Sequence, residues 1–166
     1  SFKSFSSVVE LGQARAGLQV KRSGEIITLM VFIAAVSFVL ARQDSKYDGR
    51  TLETILSGSA EEPGPGDSNG TGSLTITLNA SQGRFCYELN VANIATATAA
   101  SLNSGDASAS GPVVIDLRPP TNGSSKDCTT LGADEVVRLI ENPDKFYVNV
   151  LNAEFPAGAI RGQLTR

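Results

Sequence analysis

The sequence predicts a mainly β protein: an antiparallel β-sandwich or barrel-like sandwich with one short helix, preceded by a hydrophobic N-terminal helix that crosses a membrane. Three observations predict it. In the second half, apolar residues alternate with polar ones in short runs, with turn residues about every eight to twelve positions, the pattern of an all-β domain. After residue 50 only Ala133 to Asn142 has helical periodicity. Ile26 to Ala41 is sixteen residues without a charge.

Residues 1–24 form a basic, Ser-rich tail in which Lys3, Arg15, Lys21 and Arg22 face only Glu10, a net charge of +3. Residues 25–42 form the hydrophobic segment. As a helix, Ile26 to Ala41 would span about 24 Å, short of a hydrocarbon core of roughly 30 Å, and snorkelling Lys21, Arg22 and Arg42 supply part of the difference. A retained single-pass anchor is the preferred reading. Val39-Leu40-Ala41 also fits the small-residue pattern of a cleaved secretory signal, and a buried core helix is the third possibility. Arg22-Ser23-Gly24 before an apolar helix superficially resembles a type IV prepilin processing site, but Leu29 stands where that family carries glutamate. The positive flank puts the N-terminus on the cytoplasmic, stromal or matrix side, so that everything after residue 42 is exported or lumenal.

Residues 43–50 read as a linker, and the domain proper as 51–166. Thr51 to Ser57 is its first strand, followed by a loop through Pro63-Gly64-Pro65. From Gly72 to Ala80, Leu74, Ile76 and Leu78 point inward; after the turn Ser81-Gln82-Gly83, Phe85, Tyr87, Leu89 and Val91 do the same. Ile94 to Leu102 and Pro112 to Leu117 are further strands, separated by a loop over Asn103 to Gly111. Arg118 to Cys128 reads as a polar loop. In the helix, Val136, Val137, Leu139 and Ile140 form an apolar stripe, Asp134 and Glu135 suit the N-terminal dipole, and Pro143 ends it. Lys145 to Leu164 is strand, turn and strand: Phe146, Val148 and Val150 have the period of a half-buried strand, and Phe155-Pro156-Ala157-Gly158 is the turn.

Composition excludes several functions. There is no histidine, which removes the commonest general base and zinc ligand and leaves no Ser-His-Asp triad. Residues 43–166 carry nine basic against fifteen acidic side chains, so no nucleic-acid partner is expected. The pairs Glu61-Glu62 and Asp134-Glu135 read as a solvated loop and a helix start rather than as a catalytic dyad. No acidic run has calcium-loop spacing. The two cysteines, Cys86 and Cys128, read either as one disulfide or as two buried thiols. Asn69, Asn79 and Asn122 head glycosylation sequons.

With the strands placed, the region from about Leu56 to Leu164 resembles the CHRD domain, the module named after chordin. The resemblance is carried by Leu56-Ser57-Gly58-Ser59-Ala60-Glu61-Glu62-Pro63, Gly72-Ser73-Leu74-Thr75-Ile76-Thr77-Leu78 and Phe85-Cys86-Tyr87-Glu88-Leu89-Asn90-Val91. It continues through Gly111-Pro112-Val113-Val114, Cys128, and Tyr147-Val148-Asn149-Val150 with Phe155-Pro156-Ala157-Gly158-Ala159-Ile160-Arg161-Gly162-Gln163-Leu164. It implies an exported β-sandwich with a Cys86–Cys128 disulfide and no established enzymatic activity. Many members carry a His-x-His pair before the Gly-Pro-Val-Val strand and another His before the Phe-Pro turn. The matching positions are Ser101, Asn103 and Leu151, so neither a metal site nor a cofactor is expected.

The expectation is a non-enzymatic, membrane-anchored protein displaying this domain for a structural or protein-binding role, as an accessory subunit of a larger membrane complex or in self-association. It would contact the bilayer through 26–41. The alternative is a secreted or filament-forming protein whose hydrophobic segment is a signal peptide or polymerisation helix.

Overall fold

A computed structural model describes residues 45–165. The predicted tail 1–24 and the hydrophobic segment with its ends Ile26 and Ala41 lie outside the described residues. Among those described, no helix is long and apolar enough to cross a membrane.

The chain runs through β1 (Asp48–Ser57), β2 (Thr71–Asn79), β3 (Arg84–Ala92), β4 (Ala97–Ser104), β5 (Val113–Leu117), β6 (Ser124–Thr130), helix α1 (Ala133–Glu141), β7 (Phe146–Asn152) and β8 (Ile160–Gln163). All strands belong to one antiparallel sheet in the order β5-β4-β7-β8-β1-β2-β3-β6. Of the expected sandwich or barrel-like sandwich, the structure shows the barrel-like form: a single antiparallel sheet that is nearly a barrel. Its two edges meet at the connection between β5 and β6. Tyr87 Oη of β3 accepts a hydrogen bond from Arg118 N at 2.7 Å, and Ser125 Oγ of β6 donates to Arg118 O at 2.7 Å. Side chains, not a ladder, close the circuit there. Coiling of a large twisted sheet brings its ends together in this way and lets one face enclose one core.

That core is built as the alternation predicts. Leu74, Ile76 and Leu78 of β2 and Phe85, Tyr87 and Leu89 of β3 are buried with Leu102 of β4, Phe146, Val148 and Val150 of β7, and Ile160. Val136, Leu139 and Ile140 of α1 join the same cluster, while Val137 is only partly covered. The β2–β3 turn is fixed by Gly83, at φ 58°, where an added Cβ would lie 2.4 Å from Leu131 O. Asn79 Oδ1 caps the turn by accepting from Ser81 Oγ and Gln82 N. Tyr47 is docked against the core, and its Oη donates to Glu141 Oε1 at 2.5 Å, so β1 starts at Asp48, before the predicted Thr51.

Three expectations fail locally. The polar loop expected over 118–128 contains β6, whose residues are all exposed except Ser125. It adds no apolar side chain to the core and is held by its ladder with β3 and by the Cys86–Cys128 bridge. The loop expected from Asn103 starts only after Ser104, because β4 continues in register with β7 as far as Ser104↔Phe146. Finally, β7 is not half-buried: Phe146 through Val150 are all buried, so something covers its outer face as well.

Candidate functional site

What covers β7 is the centre of interest. Strand periodicity puts Ala99, Ser101 and Asn103 of β4, Tyr147, Asn149 and Leu151 of β7, and Arg161 and Gln163 of β8 on the face away from the core. Register then lines them up: Asp116, Ser101, Asn149, Arg161 and Ser57 are successive cross-strand partners, and Asn103, Tyr147 and Gln163 form the next row. Leu151 lies opposite Ala99, beside Ser101. The three positions singled out by resemblance, Ser101, Asn103 and Leu151, are thus brought together on one face of two neighbouring strands.

The segments 61–66, 105–111 and 155–159 fold over this face, and its side chains hold their backbone carbonyls. Arg161 is 1% exposed. Its Nη2 donates to Asp106 O at 2.7 Å and Ala109 O at 3.0 Å, its Nη1 reaches Glu62 O at 3.4 Å, and the guanidinium stacks 3.5 Å from the Tyr147 ring centroid. Gln163 Nε2 donates to Gly105 O at 2.9 Å and Asp144 O at 2.8 Å. Asn103 Nδ2 donates to Gly111 O at 3.1 Å and accepts at Oδ1 from Ser101 Oγ at 2.7 Å. Tyr147 Oη accepts from Gly111 N at 3.0 Å, and Asn149 Nδ2 donates to Ala157 O at 3.2 Å. Ser110 Oγ adds a hydrogen bond to Glu62 O.

Glu61 is the second buried charge here, 7% exposed, which corrects its reading as a solvated loop residue. Glycines make room for it: a Cβ on Gly158 would stand 2.2 Å from its Oε2, and one on Gly66 2.5 Å from its Cγ. Burial pushes its carboxyl up to about 7, against the opposing pull of the Arg161 charge. Glu61 Oε1 and Asn149 Oδ1 are buried without a protein donor.

Chemically, this array is a clamp. Its donors are spent on loop carbonyls, and among the described residues no three His, Cys, Asp or Glu side chains group as a metal site. Sequence reasoning missed Arg161 and Glu61. Arg161 sits at an outward strand position where a solvated charge is the ordinary expectation, and nothing local pairs it with Glu61.

The other predicted residues lie elsewhere. Cys86 and Cys128 are opposite one another in the β3–β6 register and are joined, Sγ to Sγ at 2.09 Å. Asn69 and Asn122 are exposed, whereas the Asn79 side chain is engaged in the β2–β3 turn.

A comparison with protein families matches residues 52–164 to the CHRD domain, a span that takes in the clamp, the disulfide and almost all of the sheet. The chain belongs to the CHRD domain family. Membership points to a generally non-enzymatic, extracellular or protein-binding domain. No curated protein and no solved structure matches the chain. Within the CHRD domain, Ser101 and Asn103 form a hydrogen-bonded pair, and Leu151 is an apolar, partly buried side chain on the same face.

Proposed function

We propose that this protein is a membrane-anchored, non-enzymatic chain that displays its CHRD domain on the exported or lumenal side, as a protein-binding or structural subunit of a larger membrane complex. The observation that carries this reading is the Cys86–Cys128 disulfide, a bond that persists in oxidising compartments, in a domain preceded by sixteen uncharged residues with a basic flank. The side chains on the covered face support a holding role rather than catalysis, because they are committed to the domain's own loops. The second reading, a secreted or filament-forming protein, draws on Val39-Leu40-Ala41 as a cleavage pattern.

The two readings separate on the mature chain. An anchored chain retains residues 26–41 in its intact mass and stays in the membrane pellet after alkaline carbonate extraction. A mature N-terminus near Arg42, with the chain released to the supernatant, contradicts the anchor.

A further inference from the structure

The disulfide has surroundings that a purely structural staple does not require. Cys86 is partly exposed and Cys128 exposed, and both help line a surface hollow of about 440 Å³ with Thr75, Thr77, Glu88 and Lys126. Arg84, two residues before Cys86 on the same strand face, lays its guanidinium across both sulfurs. Its Nε–H donates to Cys86 Sγ at 3.2 Å, and its Nη2 lies 3.8 Å from Cys128 Sγ. Glu88, the next residue along that face, stands opposite Lys126 in the ladder, so a positive charge faces it.

From this geometry we infer that Cys86–Cys128 is a thiol-exchange site for a small zwitterionic thiol, with Arg84 stabilising the leaving sulfur. The incoming thiolate attacks the more exposed Cys128 Sγ. A new sulfur–sulfur bond forms there, the Cys86–Cys128 bond breaks, and its electron pair leaves on Cys86 as a thiolate beside the closer guanidinium nitrogen. A second thiolate attacking the thiol's own sulfur in the mixed disulfide releases the oxidised small disulfide and leaves Cys128 as a thiolate. The thiol is the reductant, and the protein disulfide is reduced by two electrons. Exchange accelerates as the leaving thiolate is stabilised, and a neighbouring arginine does this for cysteine. Lys126 and Glu88 offer opposite charges to the carboxylate and ammonium of an amino-acid-like thiol.

The test uses the purified full chain with reduced glutathione as the probe. The second-order rate of mixed-disulfide formation is followed by mass, and the adduct is located by peptide mapping. Arg84 is exposed, so its replacement leaves the fold intact. The expected result is an adduct on Cys128, a rate about fivefold lower in Arg84→Gln, and recovery in Arg84→Lys. In the reduced protein, the ultraviolet thiolate absorbance should appear at lower pH in the wild type than in Arg84→Gln, a shift that a stapling role would not produce. Equal rates in wild type and Arg84→Gln, or an adduct on Cys86, overturns the inference.

Discussion

Replacing Arg161 by Met is expected to destabilise the domain by about 3–5 kcal/mol, the range found when one member of a buried charged network is removed. The side chain lies 1% exposed and supplies donors to three backbone carbonyls, at Glu62, Asp106 and Ala109. A thioether of similar length fills the space but leaves those carbonyls facing no donor, each at a cost of roughly 1–3 kcal/mol if they stay buried. Glu61 also loses the nearby positive charge that favours its ionised form. Set against a typical total of about 5–15 kcal/mol, this is a large fraction of the domain's stability. Arg161→Lys should fall between, keeping the charge but losing the planar fork. Urea unfolding at neutral pH measures it. A loss below about 1 kcal/mol in Arg161→Met would show that the clamp is incidental.

The second large effect is a pH dependence with an uncommon direction. The Glu61 carboxyl titrates at about 7 in the folded protein against 4.5 in the unfolded chain. Between those values the folded state binds the additional proton. Its contribution to stability is therefore complete below about pH 4.5, declines as the pH rises, and is lost once the pH passes about 7. The difference corresponds to about 3 kcal/mol at its upper limit. Asp48 and Asp106 act in the opposite sense, held below the usual carboxylate range mainly by hydrogen bonds from Ser81 and Ser108, and their stabilisation is lost on acidification below that range. Comparing wild type with Glu61→Gln between pH 5 and 8.5 isolates the one group. The variant should lie within about 1 kcal/mol of the wild type near pH 5 and exceed it by about 2–3 kcal/mol above pH 8. Parallel curves across that interval would mean that Glu61 is not held in a protonated, buried site.

Much of the fold could be read directly from the chain, because local pattern and tertiary environment agree there. Leu74, Ile76 and Leu78 alternate toward a core and are buried in one, and the stripe of α1 points where its periodicity says. β6 could not be read this way. Ser124-Ser125-Lys126-Asp127-Cys128-Thr129-Thr130 has no apolar alternation, since an edge strand with one buried residue has no core face to encode. Its strand character comes from β3, 42 residues earlier at the disulfide. Closure of the sheet toward a barrel depends on Tyr87 and Arg118, an aromatic hydroxyl and a backbone amide that signal nothing locally.

The covered face shows the same division. Family resemblance located Ser101, Asn103 and Leu151, and the register put them side by side. The charges that now matter most there were invisible to pattern reading. Arg161 and Glu62 are 99 residues apart, and Glu61 reads as a loop carboxylate until the segments 61–66 and 155–159 close over it. The covered face carries a polar, buried array, and this array is committed to loop positioning.

The proposed display of this domain across a membrane is tested most directly by labelling lysines from one side of sealed vesicles with a membrane-impermeant amine reagent. Lys46, Lys126 and Lys145 are exposed on the domain, while Lys3 and Lys21 precede the hydrophobic segment. Applied from the exported or lumenal side, the reagent should modify the first three and spare Lys3 and Lys21 until the membrane is permeabilised. Modification of all five before permeabilisation, or a chain that lacks Lys3 and Lys21 altogether, would contradict it.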